Sequence, residues 1–114
     1  MTECVFCRIA NREIPADLIL ETDTLVAFND LNPQAPQHIL LIPKKHIATL
    51  DAAGTGDQAA LGDLLLAAAE IARDLGFAQT GYRTVVNCNQ DGGQSVYHLH
   101  VHLLGGRALH WPPG

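Results

Sequence analysis

The chain is short of positive charge. Seven Lys and Arg stand against twelve Asp and Glu, a net charge of −5, which argues against a broad nucleic-acid or membrane-binding surface. Any contact with phosphate therefore needs donors gathered in one pocket. No apolar run is long enough to cross a bilayer, and Met1-Thr2-Glu3-Cys4 lacks a basic-then-apolar leader. Cysteine is scarce and odd in number; three residues make no paired disulfide framework and point to a reducing compartment, so the chain is expected in the cytoplasm. Charged residues reach only 17% against 47% hydrophobic, a globular balance that leaves surface for a subunit interface. Linkers, repeats and low-complexity segments are absent too. The 114 residues are expected to form one domain, 1–114, with a single core that needs no disulfides.

Taken in order, Cys4 to Ala10 fits a short helix after a cap at Thr2, with Cys4 and Cys7 on one face. Leu18–Leu20 and Leu25–Phe28, separated by Glu21-Thr22-Asp23-Thr24, read as a hairpin. Asn29–Pro36 is a loop rich in turn formers, and Gln37–Pro43 is a strand apolar enough to be central. Thr55 and Gln58 match a capping box opening a long helix. In that helix Leu61, Leu64, Leu65, Ala68, Ala72 and Leu75 fall at helical spacing, and Gly76 ends it. Tyr82–Asn89 is a fourth strand. The expected architecture is α+β: a five-stranded antiparallel sheet with one long and one short helix, both helices covering one face. The tail from Arg107 to Gly114, with paired prolines, is expected to be irregular.

Chemistry concentrates between Gly92 and Gly106. His98, His100 and His102 alternate with Leu99, Val101 and Leu103, a period of two that predicts a fifth strand with three imidazoles on one face. Three uses compete for such a row. Neighbours roughly 7 Å apart at Cα could share a metal, but His98 and His102 would be about 13 Å apart, which disfavours one ion held by all three. A solvated polar face is the plain alternative, and a weak one for three identical titratable groups. The third use is a division of labour around phosphorus, with His100 attacking and His102 and loop donors holding the oxygens. Asp91-Gly92-Gly93-Gln94-Ser95 is a turn whose amides could approach an anion, and the Ser95 hydroxyl could donate to a leaving group or phosphate oxygen.

The run His98-Leu99-His100-Val101-His102-Leu103-Leu104 resembles the signature of the histidine triad family. So do Asp30, Pro33–His38, Ile42–His46, Asp91–Tyr97 and His110–Gly114, which are similar to its nucleotide-binding branch over nearly the whole chain. The resemblance implies a purine nucleotide site and hydrolysis of nucleoside phosphoramidates, such as adenylated amines, at the α-phosphorus. On it, His100 would be the nucleophile of a nucleotidyl-histidine intermediate. His102, Ser95, Gly93 and Gln94 would contact the phosphate, with Asn87 close by. Asp30 would bind the ribose hydroxyls, and Val5, Phe6, Ile9, Phe28 and Leu31 would line the base pocket, although each one taken singly reads first as ordinary core. The resemblance also implies a homodimer joined sheet edge to edge, with the Trp111 tail reaching towards the partner's site. Hydrolysis of dinucleoside polyphosphates, or a nucleotide-binding and protein-interaction module with little turnover, stand as the alternatives.

The same resemblance gives Cys4 and Cys7 a use. Alone, Cys-x-x-Cys fits two packed thiols or a redox pair, and the strand-to-helix setting of a redox pair is missing here. With His46 and His98 the set becomes Cys2His2, suited to structural zinc, which some bacterial-type members carry. A conflict follows, because zinc-free relatives use the positions of His46 and His98 to support the catalytic histidine. If zinc is held, His98 is a ligand and a backbone carbonyl is left to orient His100. His38 matches a family position near the triad but fits a satisfied strand histidine equally well; Cys88 reads as a packed thiol, and His110 receives no role.

Overall fold

The computed structural model describes residues 3–114; the expected Thr2 cap lies outside the described residues. Five strands, β1 (Leu18–Glu21), β2 (Leu25–Asn29), β3 (Gln37–Pro43), β4 (Tyr82–Val85) and β5 (Val101–Gly105), form one antiparallel sheet in the order β1-β2-β3-β5-β4. A short helix, α1 (Val5–Ala10), precedes them, and a long one, α2 (Gln58–Asp74), entered through a 3-10 turn at Thr55–Asp57, connects β3 to β4. The α+β architecture is thus the one expected. Among the described residues, no helix is long and apolar enough to cross a membrane.

The helices do not share a face. Ile39 and Leu41 of β3 pack with Leu64, Ala68 and Ile71 of α2, whereas Leu40 and Ile42 pack with Phe6 and Ala10 of α1. Adjacent residues of a strand point to opposite faces, so α1 and α2 cover opposite sides. This accounts for the almost unbroken apolar run of β3, which is buried on both sides. A six-residue helix is too short to show which face it would take.

The termini of α2 depart from expectation at one end. Gly54, rather than Thr55, caps the entry, and Asp57 Oδ2 accepts its N–H at 3.0 Å while Oδ1 accepts from Lys45 Nζ at 2.7 Å. The other end is as expected. Gly76 takes φ +87°, its N–H donates to Arg73 and that of Phe77 to Ala72, the paired bonds of a Schellman stop. The buried stripe is Leu64, Ala67, Ala68, Ile71 and Ala72. Leu65 and Leu75, expected in it, are exposed.

β5 begins only at Val101, and β4 ends at Val85 rather than Asn89. His98 and His100 therefore precede the strand, and the three imidazoles do not line one strand face. The cause lies across the sheet. Pro43 closes β3 and has no N–H to continue a ladder. Its carbonyl oxygen instead accepts from His98 Nε2 at 2.8 Å, while Leu99 N–H donates to the carbonyl of Ile47 at 2.7 Å. Segment 98–100 is held by a side chain and a loop.

Candidate active site and metal centre

The histidines gather on the α1 side of the sheet. His38, Leu40 and Ile42 share that side of β3, and the pairing of Leu40 with His102 brings His102 to it from β5. Phe6 of α1 completes the enclosure, its ring edge-on to those of His100, His98 and Phe28 at centroid distances of 5.2, 6.0 and 5.6 Å. His100 and His102 are themselves neighbours, with centroids 4.9 Å apart.

Main-chain oxygens determine where two of these rings hold their protons. His100 Nδ1 is 2.8 Å from the carbonyl oxygen of His98. A carbonyl only accepts, so Nδ1 carries the proton and Nε2 keeps its lone pair. By the same argument the contact with Pro43 places the His98 proton on Nε2 and leaves Nδ1 bare. His98 is fully buried; burial pushes its pKa down, against the pull of the Pro43 bond. His102 is pushed to about 4, first by burial and then by the adjoining His100 and His38 rings.

The bare Nδ1 of His98 faces the cysteines. It lies 3.3 Å from Cys4 Sγ, 3.4 Å from Cys7 Sγ and 3.1 Å from His46 Nδ1, and His46 Nδ1 is 3.3 Å from Cys7 Sγ. Tetrahedral zinc with bonds of about 2.0–2.3 Å has donor-to-donor edges of roughly 3.3–3.8 Å. The nitrogen–sulfur separations of 3.3–3.4 Å meet that range, and the 3.1 Å between the two imidazole nitrogens falls just short of it, so the donors are gathered closely enough to hold such an ion. The Pro43 carbonyl supplies the outer contact that holds a metal-bound imidazole in one tautomer. Four residues from three separated stretches of the sequence thus meet as the Cys2His2 group expected, with Cys4 also capping α1 by accepting from Cys7 N–H at 3.4 Å.

The loop before β5 is built differently from expectation. The N–H of Gly93 donates to Gln90 and that of Gln94 to Asn89, so these two amides are engaged within the turn. The Gln94 side chain is buried and fully engaged as well. Its oxygen accepts from Asn89 N–H at 2.9 Å, and its nitrogen donates to the carbonyls of Ala48 at 2.8 Å and Val96 at 3.1 Å. A Cβ on Gly92 would sit 2.5 Å from the carbonyl oxygen of Cys88, and Gly93 takes φ +79°. Only glycine suits both positions. Ser95 is exposed beside this turn, and Asn87 is half-buried just beyond β4.

Asp30 ends the β2 side of the site. Its Oδ1 accepts from Asn32 N–H at 2.8 Å and its Oδ2 lies 3.4 Å from His38 Nε2. Phe6 and Phe28 are buried together with Ile9 packed against them, but Leu31 is fully exposed and joins neither core cluster. His38, which the sequence fits equally to a place near the triad and to a satisfied strand position, brings its Nε2 to 2.9 Å from His102 Nδ1. Its position two residues before Leu40 on an apolar strand was the available signal.

The HIT domain pattern matches residues 11–109. The chain belongs to the HIT, or histidine triad, family. It is 48% identical to the purine nucleoside phosphoramidase of Escherichia coli K12 over 107 residues, 94% of this chain and 90% of that protein. It superposes on the HIT family hydrolase of Legionella pneumophila Philadelphia 1 with a TM-score of 0.96 at 50% identity, covering 98% of this chain and 100% of that one. A zinc-bound histidine triad protein of Mycobacterium smegmatis matches at a TM-score of 0.79 and 29% identity, over 92% of this chain and 76% of that one.

Proposed function

We propose that this HIT protein, a single domain across residues 1–114, hydrolyses purine nucleoside phosphoramidates at the α-phosphorus. One observation carries the proposal. The bond from His100 Nδ1 to the His98 carbonyl leaves the Nε2 lone pair free for attack on phosphorus. The phosphoramidase activity named for the E. coli relative supports this substrate class.

In the proposed reaction His100 Nε2 bonds to phosphorus as the phosphorus–nitrogen bond of the substrate breaks. The amine departs with a proton, for which the exposed Ser95 hydroxyl on the phosphate loop is the proposed donor, and Ser95 regains it from solvent. Water then cleaves the nucleotidyl-histidine, releasing the nucleoside monophosphate and restoring His100. His102 holds a phosphate oxygen. Gly93 and Gln94, whose amides are engaged, shape the phosphate loop, and Asn87 borders it. Asp30 accepts from the ribose hydroxyls, and Phe6, Ile9, Phe28 and Leu31 surround the purine. Cys4, Cys7, His46 and His98 would hold zinc, which when bound supplies a rigid tie between α1, the end of β3 and segment 98–100.

The proposal extends to a cytoplasmic homodimer. β4 is an edge strand carrying the exposed Tyr82, and Trp111 on the tail is 82% exposed; a partner would cover both. Incubation with an adenosine phosphoramidate followed by acid-free mass spectrometry should capture a nucleotidyl adduct on His100. Wild-type turnover by His100→Ala would remove the nucleophile assignment.

A further inference from the structure

Asp30, His38 and His102 place a carboxylate oxygen and two ring nitrogens within 4.8 Å of one another. Such a trio suggests a second metal site, but the proton positions oppose it. The Gln34 N–H lies 3.0 Å from His38 Nδ1. An amide only donates, so Nδ1 holds a lone pair. With a lone pair on Nδ1 the ring is not doubly protonated, and its one proton is on Nε2; burial pushes its pKa down in the same sense. A metal at Nε2 would need the reverse arrangement.

The His38 Nε2 proton has two acceptors in reach, His102 Nδ1 at 2.9 Å and Asp30 Oδ2 at 3.4 Å. The shorter contact takes it. His102 Nδ1 is then an acceptor, and a neutral His102 carries its own proton on Nε2. We infer that His38, held by the Gln34 amide, is a positioning residue that fixes His102 as a hydrogen-bond donor through Nε2. Resting on the hydrolase reading above, this gives two adjoining rings opposite parts: His100 offers a lone pair to phosphorus, and His102 offers a proton to a phosphoryl oxygen. His102 cannot then serve as the base that activates water. The contact gains strength as charge gathers on the phosphoryl oxygens, so its loss falls on kcat more than on KM.

The test uses the full, metal-loaded chain labelled with 15N-histidine, read by long-range proton–nitrogen correlation at neutral pH. His38 and His102 should both be neutral with the proton on Nε2; a proton on His102 Nδ1, or a second metal equivalent bound at His38, would overturn the inference. His38→Leu should mix the His102 tautomers and lower kcat by roughly 10- to 100-fold, below the 10²–10³ of an outright donor deletion. His38→Gln, whose amide nitrogen can occupy the Nε2 position and donate, should recover most of that loss. Equal losses in two folded variants would reduce His38 to a packing residue. Wild-type turnover by His100→Ala would defeat the hydrolase reading while leaving both tautomers as observed, so the two failures are distinguishable.

Discussion

His98 accepts the Nδ1 proton of His100 through its carbonyl oxygen at 2.8 Å, while its own ring nitrogen faces Cys4, Cys7 and His46. One residue therefore joins the Cys2His2 group to the proposed nucleophile by its main chain. Stripping metal with a chelator should release the ring and, with it, the carbonyl that aims His100. We expect the melting temperature to fall by upwards of about 5 °C, the shift that roughly 1 kcal/mol produces in a domain of this size. Turnover should fall below the folded fraction measured on the same samples. Cys7→Ser should behave alike, and an unchanged melting curve would show that these four side chains hold no ion.

Phe6 links α1 to the same residues. It is buried at 7% exposure and meets His100, His98 and Phe28 edge-on. Phe6→Ala should cost about 3–5 kcal/mol, the range for deleting a packed aromatic ring. Phe6→Leu, which keeps most of the volume, should cost less than about 1.5 kcal/mol. Urea unfolding of the two variants decides between a ring that supports the histidines and one that only borders a purine; the latter would raise KM and leave stability near wild type.

Much of this was legible in the sequence because local patterns and global fold agree. The bounds of β3, Gln37–Pro43, follow from its apolar run, and the Gly76 stop follows from helical spacing. His98 and His100 misled as strand residues because alternation reports burial, and Leu99 is buried whether or not a ladder continues past it. What ends the ladder is Pro43, 55 residues away in sequence from His98. Asp57 was missed as the capping side chain because the helix opens through a 3-10 turn, which moves the bond one residue ahead of the expected box. The Cys2His2 residues could be named from the family pattern, but their convergence depends on α1 lying on the face opposite α2.

Acid should destabilise the fold through His102. Its pKa is pushed from the ordinary 6.5 to about 4, chiefly by burial. In the unfolded chain the ring protonates near 6.5, so between these values the unfolded state binds the proton that the folded state refuses, and stability rises with pH. The contribution is complete above about 6.5, declines as pH falls towards about 4, and is gone below it. His38, lowered by burial and partly restored by Asp30, acts in the same direction. Urea midpoints at a series of pH values from 7 to 4 should fall steadily, with a shallower slope for His102→Gln. A flat profile would contradict the buried, neutral ring.

Gln94 separates two accounts of the loop. A direct phosphate ligand would keep its amide free, but every polar atom of this side chain is engaged by Asn89, Ala48 or Val96. Truncation therefore acts on the loop before it acts on any ligand. Gln94→Ala leaves one N–H and two carbonyls, all part-buried, short of their side-chain partner, and water can take up part of that loss. Hydrogen exchange should accelerate across residues 89–96 in the unliganded protein, and kcat/KM should drop because the loop that carries Ser95 is no longer held. If exchange stays at the wild-type rate while KM alone rises, Gln94 touches the phosphate itself, and the loop is held by its glycine turn without this side chain.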